Sequence, residues 1–217
     1  MRTGAVAATA ATALVLCGSP ALAVPAYDIA FVSEFADACV PGRLGYQSTR
    51  DAAVAAGWAE VEPSVNAELA AIMARSETEA TADPELPTVF AYTTFAKPIE
   101  GLDHYLVVSR SEITVTEGED PWVLIGCYLY NMDASAPIDP EPVTALIGNP
   151  IAHSQIDMHI TSYVWGPPCP MPRTGDTYMT FIPEVSQYRE QVGISGLVLK
   201  FSTSEPDPGE IVPDTYC

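Results

Sequence analysis

The hydrophobic period changes once along this chain, between residues 77 and 87, and that change divides any fold it adopts into a helical part and a sheet part. Before the change, Ile29, Val32, Phe35, Ala36 and Cys39 recur at three- and four-residue spacing. Such spacing places them on one face of a helix and turns Cys39 toward a core. Pro41-Gly42 ends this helix. A second is expected to begin near Ser48 or Thr49, where a hydroxyl caps free amides and Asp51 sits in the positive first turn. It runs through the alanines from Ala52 to Ala56 and stops at Gly57, before Trp58. Pro63 suits the first turn of a third helix, with Val65, Leu69, Ile72 and Met73 as its apolar stripe.

Residues 77–87 carry four acids and two prolines without apolar periodicity and read as a solvated loop. After it the period is two. Strands are expected at 88–97, 104–109, 112–116, 122–130, 155–165, 177–182 and 196–203, with a short helix at 143–147 after Asp139-Pro140. Turn signals, not helical crossovers, separate these strands, which argues for a mainly antiparallel sheet. The expected class is α+β, with N-terminal helices packed on six to seven strands and one short inserted helix. Residues 24–217 form one domain in this reading: a helical part at 24–76, a sheet part at 88–204 and an acidic tail at 205–217.

Residues 1–23 read as an export signal, with Arg2, an apolar run from Ala5 to Cys17 and the exit Ala21-Leu22-Ala23. Cleavage leaves Val24 first and places the protein in the periplasm or outside the cell, without an integral membrane segment. Cys17 raises a lipoprotein reading, which Leu16 disfavours because a small residue is expected there. Four cysteines then remain in an oxidising compartment, Cys39, Cys127, Cys169 and Cys217, and two disulfides are expected. Three connectivities are possible. The favoured one joins Cys39 on the buried stripe to Cys127 in the most apolar strand, and Cys169 in a proline-stiffened loop to Cys217 in the polar tail. No paired C-x2-C spacing supports a zinc site.

Asp and Glu number 28 against 9 Lys and Arg, for a formal charge of −19. That balance excludes a nucleic-acid or anionic-membrane binder working through bulk charge. Two lysines are present, Lys97 and Lys200. No catalytic or cofactor motif is complete: Gly193-Ile194-Ser195-Gly196-Leu197 lacks the last small residue of a nucleophile elbow. His104, His153 and His159 are too scattered for a metal site, and the acidic stretches 117–120 and 133–141 lack calcium-loop spacing. The strongest local pattern is Asp157-x-His159-x-Thr161-x-Tyr163-x-Trp165. On a strand, alternate residues share a face, so Asp157 would orient the His159 imidazole for acid-base chemistry with Ser162 or Tyr163 nearby. The plainer reading is the solvated face of a strand whose other face packs on the core.

An export signal, a helix ending Ala38-Cys39-Val40, the Gly57-Trp58 stop and the apolar run Gly126-Cys127-Tyr128-Leu129-Tyr130 together resemble small exported bacterial proteins of unknown function. The resemblance spans most of the mature chain and implies no activity. The leading expectation is a non-enzymatic exported domain that binds an envelope protein or small ligand, without cofactor or metal. The alternative is a hydrolase with His159 and Asp157 as its acid-base pair.

Overall fold

The computed structural model describes residues 25–215. Two helices come first, α1 (Ala26–Cys39) and α2 (Tyr46–Ala55), followed by a short strand β1 (Ala59–Val61), a 3-10 turn (Pro63–Val65) and helix α3 (Ala67–Ala80). Then come β2 (Thr88–Ile99), β3 (Leu102–Ile113), β4 (Trp122–Asn131), helix α4 (Glu141–Ile147), β5 (Ile151–Ile156), β6 (Thr161–Trp165), β7 (Thr177–Ile182), a one-turn helix α5 (Arg189–Val192) and β8 (Gly196–Ser204). The α+β class holds, but the strands among the described residues number eight, one or two more than expected, in one antiparallel sheet of order β1-β2-β3-β4-β8-β7-β6-β5. Two meanders meet where β4 pairs with β8, and the segment through α4 carries the chain from the middle of the sheet to its far edge.

Each misread strand has a local cause. Residues 155–165 form a hairpin instead of one strand, because Asp157 Oδ1 accepts from the amides of His159 and Ile160 and reverses the chain. Residues 102–113 form one strand where two were expected, since Arg110 and Ser111 stay in register with Ala91 and Phe90 of β2 on one side and with Ile125 and Leu124 of β4 on the other. Strand β1 has three residues, too few to show a period. Helix α3 continues to Ala80, four residues into the expected loop. There the Arg75–Glu79 pair at 2.6 Å and the Thr78 hydroxyl on the Ala74 carbonyl support its last turns.

Helix entry also departs from expectation. Gly45 precedes α2 without a side-chain cap, and the first turn holds no acid. Ser48 and Thr49 instead donate their hydroxyls to the Gly42 carbonyl at 2.8 Å, closing the turn that precedes the helix. Asn66, not Pro63, starts α3: its side chain accepts from the amides of Glu68 and Leu69. Ile29 and Val65 were assigned to apolar stripes and are both 54% exposed.

Helices pack on both faces of the sheet. Phe31, Phe35 and Cys39 of α1, Ala53 of α2 and Val143 and Ile147 of α4 pack on Phe95, Leu106, Val108, Cys127, Leu129, Leu199, Phe201 and Trp165. Leu69 and Met73 of α3 pack on the opposite face, against Tyr105, Val107, Tyr130 and Val198. Burial of this apolar surface, about 25 cal/mol for each Å² removed from water, is the main favourable term. The Cys39–Cys127 disulfide, S–S 2.04 Å, joins α1 to β4 within the larger cluster, as expected. Cys217 lies outside the described residues. Cys169 is disulfide-bonded, and the Thr215 hydroxyl donates to its carbonyl at 3.1 Å, so the tail lies against the loop of Cys169. Residues 1–23, expected to form an export signal, also lie outside the described residues. Among the described residues, no helix is long and apolar enough to cross a membrane.

Candidate functional site

Helix α3 covers part of its face and leaves the rest open. Alternate residues share a face, so the pairings Tyr128↔Lys200 and Tyr178↔Lys200 set three side chains of β4, β8 and β7 in one row across the open part. Lys200 Nζ stands 5.9 Å from the Tyr128 ring centre and 5.4 Å from that of Tyr178. Both are within cation–π range. Trp122 and Leu124 of β4, Ser202 and Ser204 of β8 and the Arg173–Asp176 segment complete a cavity of about 540 Å³. Trp122 is 51% exposed at its mouth.

The charges in this cavity are unequally satisfied. Arg173 pairs with Glu210 and donates to the carbonyls of Ser204 and Glu205 at 3.0 Å. Its guanidinium therefore fastens the tail. Lys97, on the other face, donates to both oxygens of Glu34 at 2.6 and 2.8 Å and to the Ala56 carbonyl at 2.8 Å. Lys200 forms no ion pair or hydrogen bond among the described residues. Burial pushes its ammonium below the usual lysine range. An ammonium held by ring faces alone, in a protein of charge −19, keeps its donors for another group.

Gly126 shapes the floor. A Cβ there would lie 2.5 Å from the Tyr128 ring and 2.6 Å from Ser109 Oγ, so Tyr128 folds over a glycine. The ring stacks beside Tyr130 at 6.4 Å and 9°. The sequence signal was present but weak: Trp122-x-Leu124-x-Gly126-x-Tyr128 alternates with the core residues of β4, and Lys200 interrupts an apolar strand.

The residues singled out from sequence lie elsewhere and do not assemble. Asp157 and His159 occupy the turn between β5 and β6, so they are not same-face strand neighbours. Asp157 gives its carboxylate to the amides of His159 and Ile160 and to the Gln155 side chain, contacts that hold its carboxyl below the usual range. The His159 ring meets Tyr188 edge-on at 5.9 Å, and its Nδ1 has no hydrogen-bond partner among the described residues. Ser162 bonds Thr180 at 3.0 Å, and Tyr163 packs beside Trp165 at 6.1 Å within the cluster on the other face of β6. His153 is exposed on β5, and His104 is fully buried. The Ser195 amide and hydroxyl both donate to the Glu68 carboxylate, and the three histidines lie elsewhere. Among the described residues, no group of three or more His, Cys, Asp or Glu is placed to hold a metal ion.

No protein-family model, curated protein or solved structure matches this chain.

Proposed function

We propose that the chain is an exported, non-enzymatic binding domain of the cell envelope. It holds a small ring-bearing carboxylate on the open part of its sheet. The observation that carries this reading is the setting of Lys200, a cation with no ion-pair partner among the described residues, flanked by the rings of Tyr128 and Tyr178 in a cavity of about 540 Å³ that Asp176 also lines. Such a cavity suits a small ligand by size, with apolar walls and few convergent polar groups. A ligand carboxylate would accept from Lys200 while its ring lies against the exposed faces of Trp122 and Tyr178. The export signal supports the envelope location, and an intact mass beginning at Val24 is expected of exported material.

Titration with benzoate and D-glucuronate, beside benzyl alcohol and glucose as neutral counterparts, tests the binding reading. Trp122 is the exposed indole, since Trp58 and Trp165 are 2% and 0% exposed, so its NMR indole resonance reports the site. Saturable shifts with one of the carboxylates, at least tenfold weaker with its neutral counterpart and absent in Lys200→Met, support the assignment. Equal response to acid and neutral compound, or an unchanged response in Lys200→Met, overturns it.

A further inference from the structure

We propose that β5 is a self-pairing edge, through which two copies of this chain join antiparallel into one continuous sheet about a twofold axis. The strand ends the sheet: among the described residues it pairs with β6 on one side and with no strand on the other. All six of its residues are exposed, and they form no charged side chain between them. An irregularity separates Ile151 from His153, but His153 to Ile156 keep regular register with Val164 to Thr161. Their outward amides and carbonyls are the template a further strand needs.

Charge distribution names the occupant. Between Glu141 and Arg173 the chain has one charged residue, Asp157, although it carries 37 Lys, Arg, Asp and Glu over its length. A copy of charge −19 meets repulsion from its own kind over an acidic surface, and an uncharged edge is where that repulsion is least. A foreign partner would place no such demand on the edge. Antiparallel pairing is also self-complementary, as a twofold contact requires. Ile156 and Met158, 65% and 79% exposed at the end of the strand, supply apolar surface for the contact. On the opposite edge β1 has three residues and pairs only with Thr94 to Ala96 of β2, and beyond it Tyr92 of β2 lies near the acidic Glu77 and Glu62, where a second acidic copy meets repulsion.

Sedimentation velocity of the exported chain across a concentration series, in 20 mM and 500 mM salt, tests the proposal. A monomer–dimer equilibrium that shifts toward dimer as salt rises is expected, because screening weakens the repulsion between like bodies. Ser154→Glu and Ser154→Lys each bring like charges together across the axis, so each alone is expected to weaken the dimer at least tenfold. An equimolar mixture of the two should restore it. Circular dichroism melts matching the wild type establish that both variants fold. Monomer at every concentration and salt overturns the proposal, as does a dimer that neither variant weakens or a mixture that fails to restore association.

Discussion

The Tyr27 hydroxyl donates to Nε2 of His104 across 2.8 Å, joining the first turn of α1, where Tyr27 is half-buried, to β3, where His104 is fully buried. The proton positions follow from the partners. His104 Nδ1 stands 2.8 Å from the Leu102 carbonyl, which accepts only, so Nδ1 carries the proton and Nε2 offers a lone pair. Asn131 Nδ2 in turn donates to the Tyr27 oxygen at 2.5 Å, and Asn131 Oδ1 accepts from the Asp133 amide, which fixes the amide orientation. Every member of this network is satisfied with His104 neutral.

Protonating His104 would set an Nε2 proton against the Tyr27 hydroxyl proton inside the core. Burial accordingly lowers the imidazole below its usual value, although the Leu102 hydrogen bond opposes the shift. The unfolded chain therefore takes up the proton first, near pH 6.5, as acid is added. Stability from this site is complete above that pH and falls as pH drops from about 6.5 toward the lower folded value. Urea unfolding of wild type and His104→Gln should diverge in their pH slopes between pH 7 and 5, with the wild type losing more. Parallel slopes would refute the neutral-histidine account. Tyr27→Phe leaves Nε2 and Asn131 Nδ2 without their partner and should cost about 2 kcal/mol at neutral pH.

The Cys39–Cys127 bridge spans 88 residues between cysteines that are 0% and 1% exposed. In the chain-entropy model, closing a loop of that length stabilises by about 4 to 5 kcal/mol, and reductant reaches the sulfurs only when the core opens. Dithiothreitol alone should leave the bridge intact over a time in which dithiothreitol with moderate urea reduces it, as thiol alkylation and mass measurement would record. Rapid reduction without denaturant would show that α1 leaves the sheet readily. Peptide mapping under non-reducing conditions also tests the Cys169–Cys217 pairing, for which a linked peptide is expected.

Lys200 is the reverse of a stabilising charge. Its ammonium gives up water for two ring faces, and burial depresses its ionisation. Below its folded value the unfolded chain holds the proton at less cost, so the penalty is fully present at pH 7 and declines as pH rises toward about 10.4. Lys200→Met should melt at or above the wild-type temperature at pH 7 while losing the binding proposed for the site. A substantially lower melting temperature would mean that the lysine serves the fold instead.

What sequence reasoning recovered depends on whether the governing contact was local. Strand β7 matches its expected limits because Thr177, Met179 and Phe181 alternate with Tyr178 and Thr180. Cys39 is legible as a core residue because it follows Val32 and Phe35 on one helical face, whereas Ile29 at the start of the same stripe is exposed. Asp157 was misplaced because its pattern fits a strand equally well until its carboxylate captures two amides in the turn. The Lys200 row was not legible, since Tyr128, Lys200 and Tyr178 belong to three strands whose register only pairing defines. Periodicity gives a residue's face within its own strand and leaves its neighbours across the sheet undetermined.

Gly126 tests how the fold supports that row. The glycine pairs with Ser109 on β3 and with Ser202 on β8, and the Tyr128 ring lies across it. Its φ is not in the left-handed region, so the backbone would tolerate alanine, and the conflict is confined to the space the ring occupies. A methyl group 2.5 Å from the ring and 2.6 Å from Ser109 Oγ must displace the ring, because Ser109 is only 5% exposed and has little room to yield. Overpacking of this kind typically costs about 1 to 3 kcal/mol. Displacing Tyr128 also removes one of the two faces that hold Lys200. Gly126→Ala should therefore lower the melting temperature and weaken carboxylate binding together, with the Trp122 indole resonance shifted in the unliganded protein. If Gly126→Ala lost stability but bound benzoate or D-glucuronate as the wild type does, Tyr128 would be a packing residue and the site would rest on Tyr178 and Trp122.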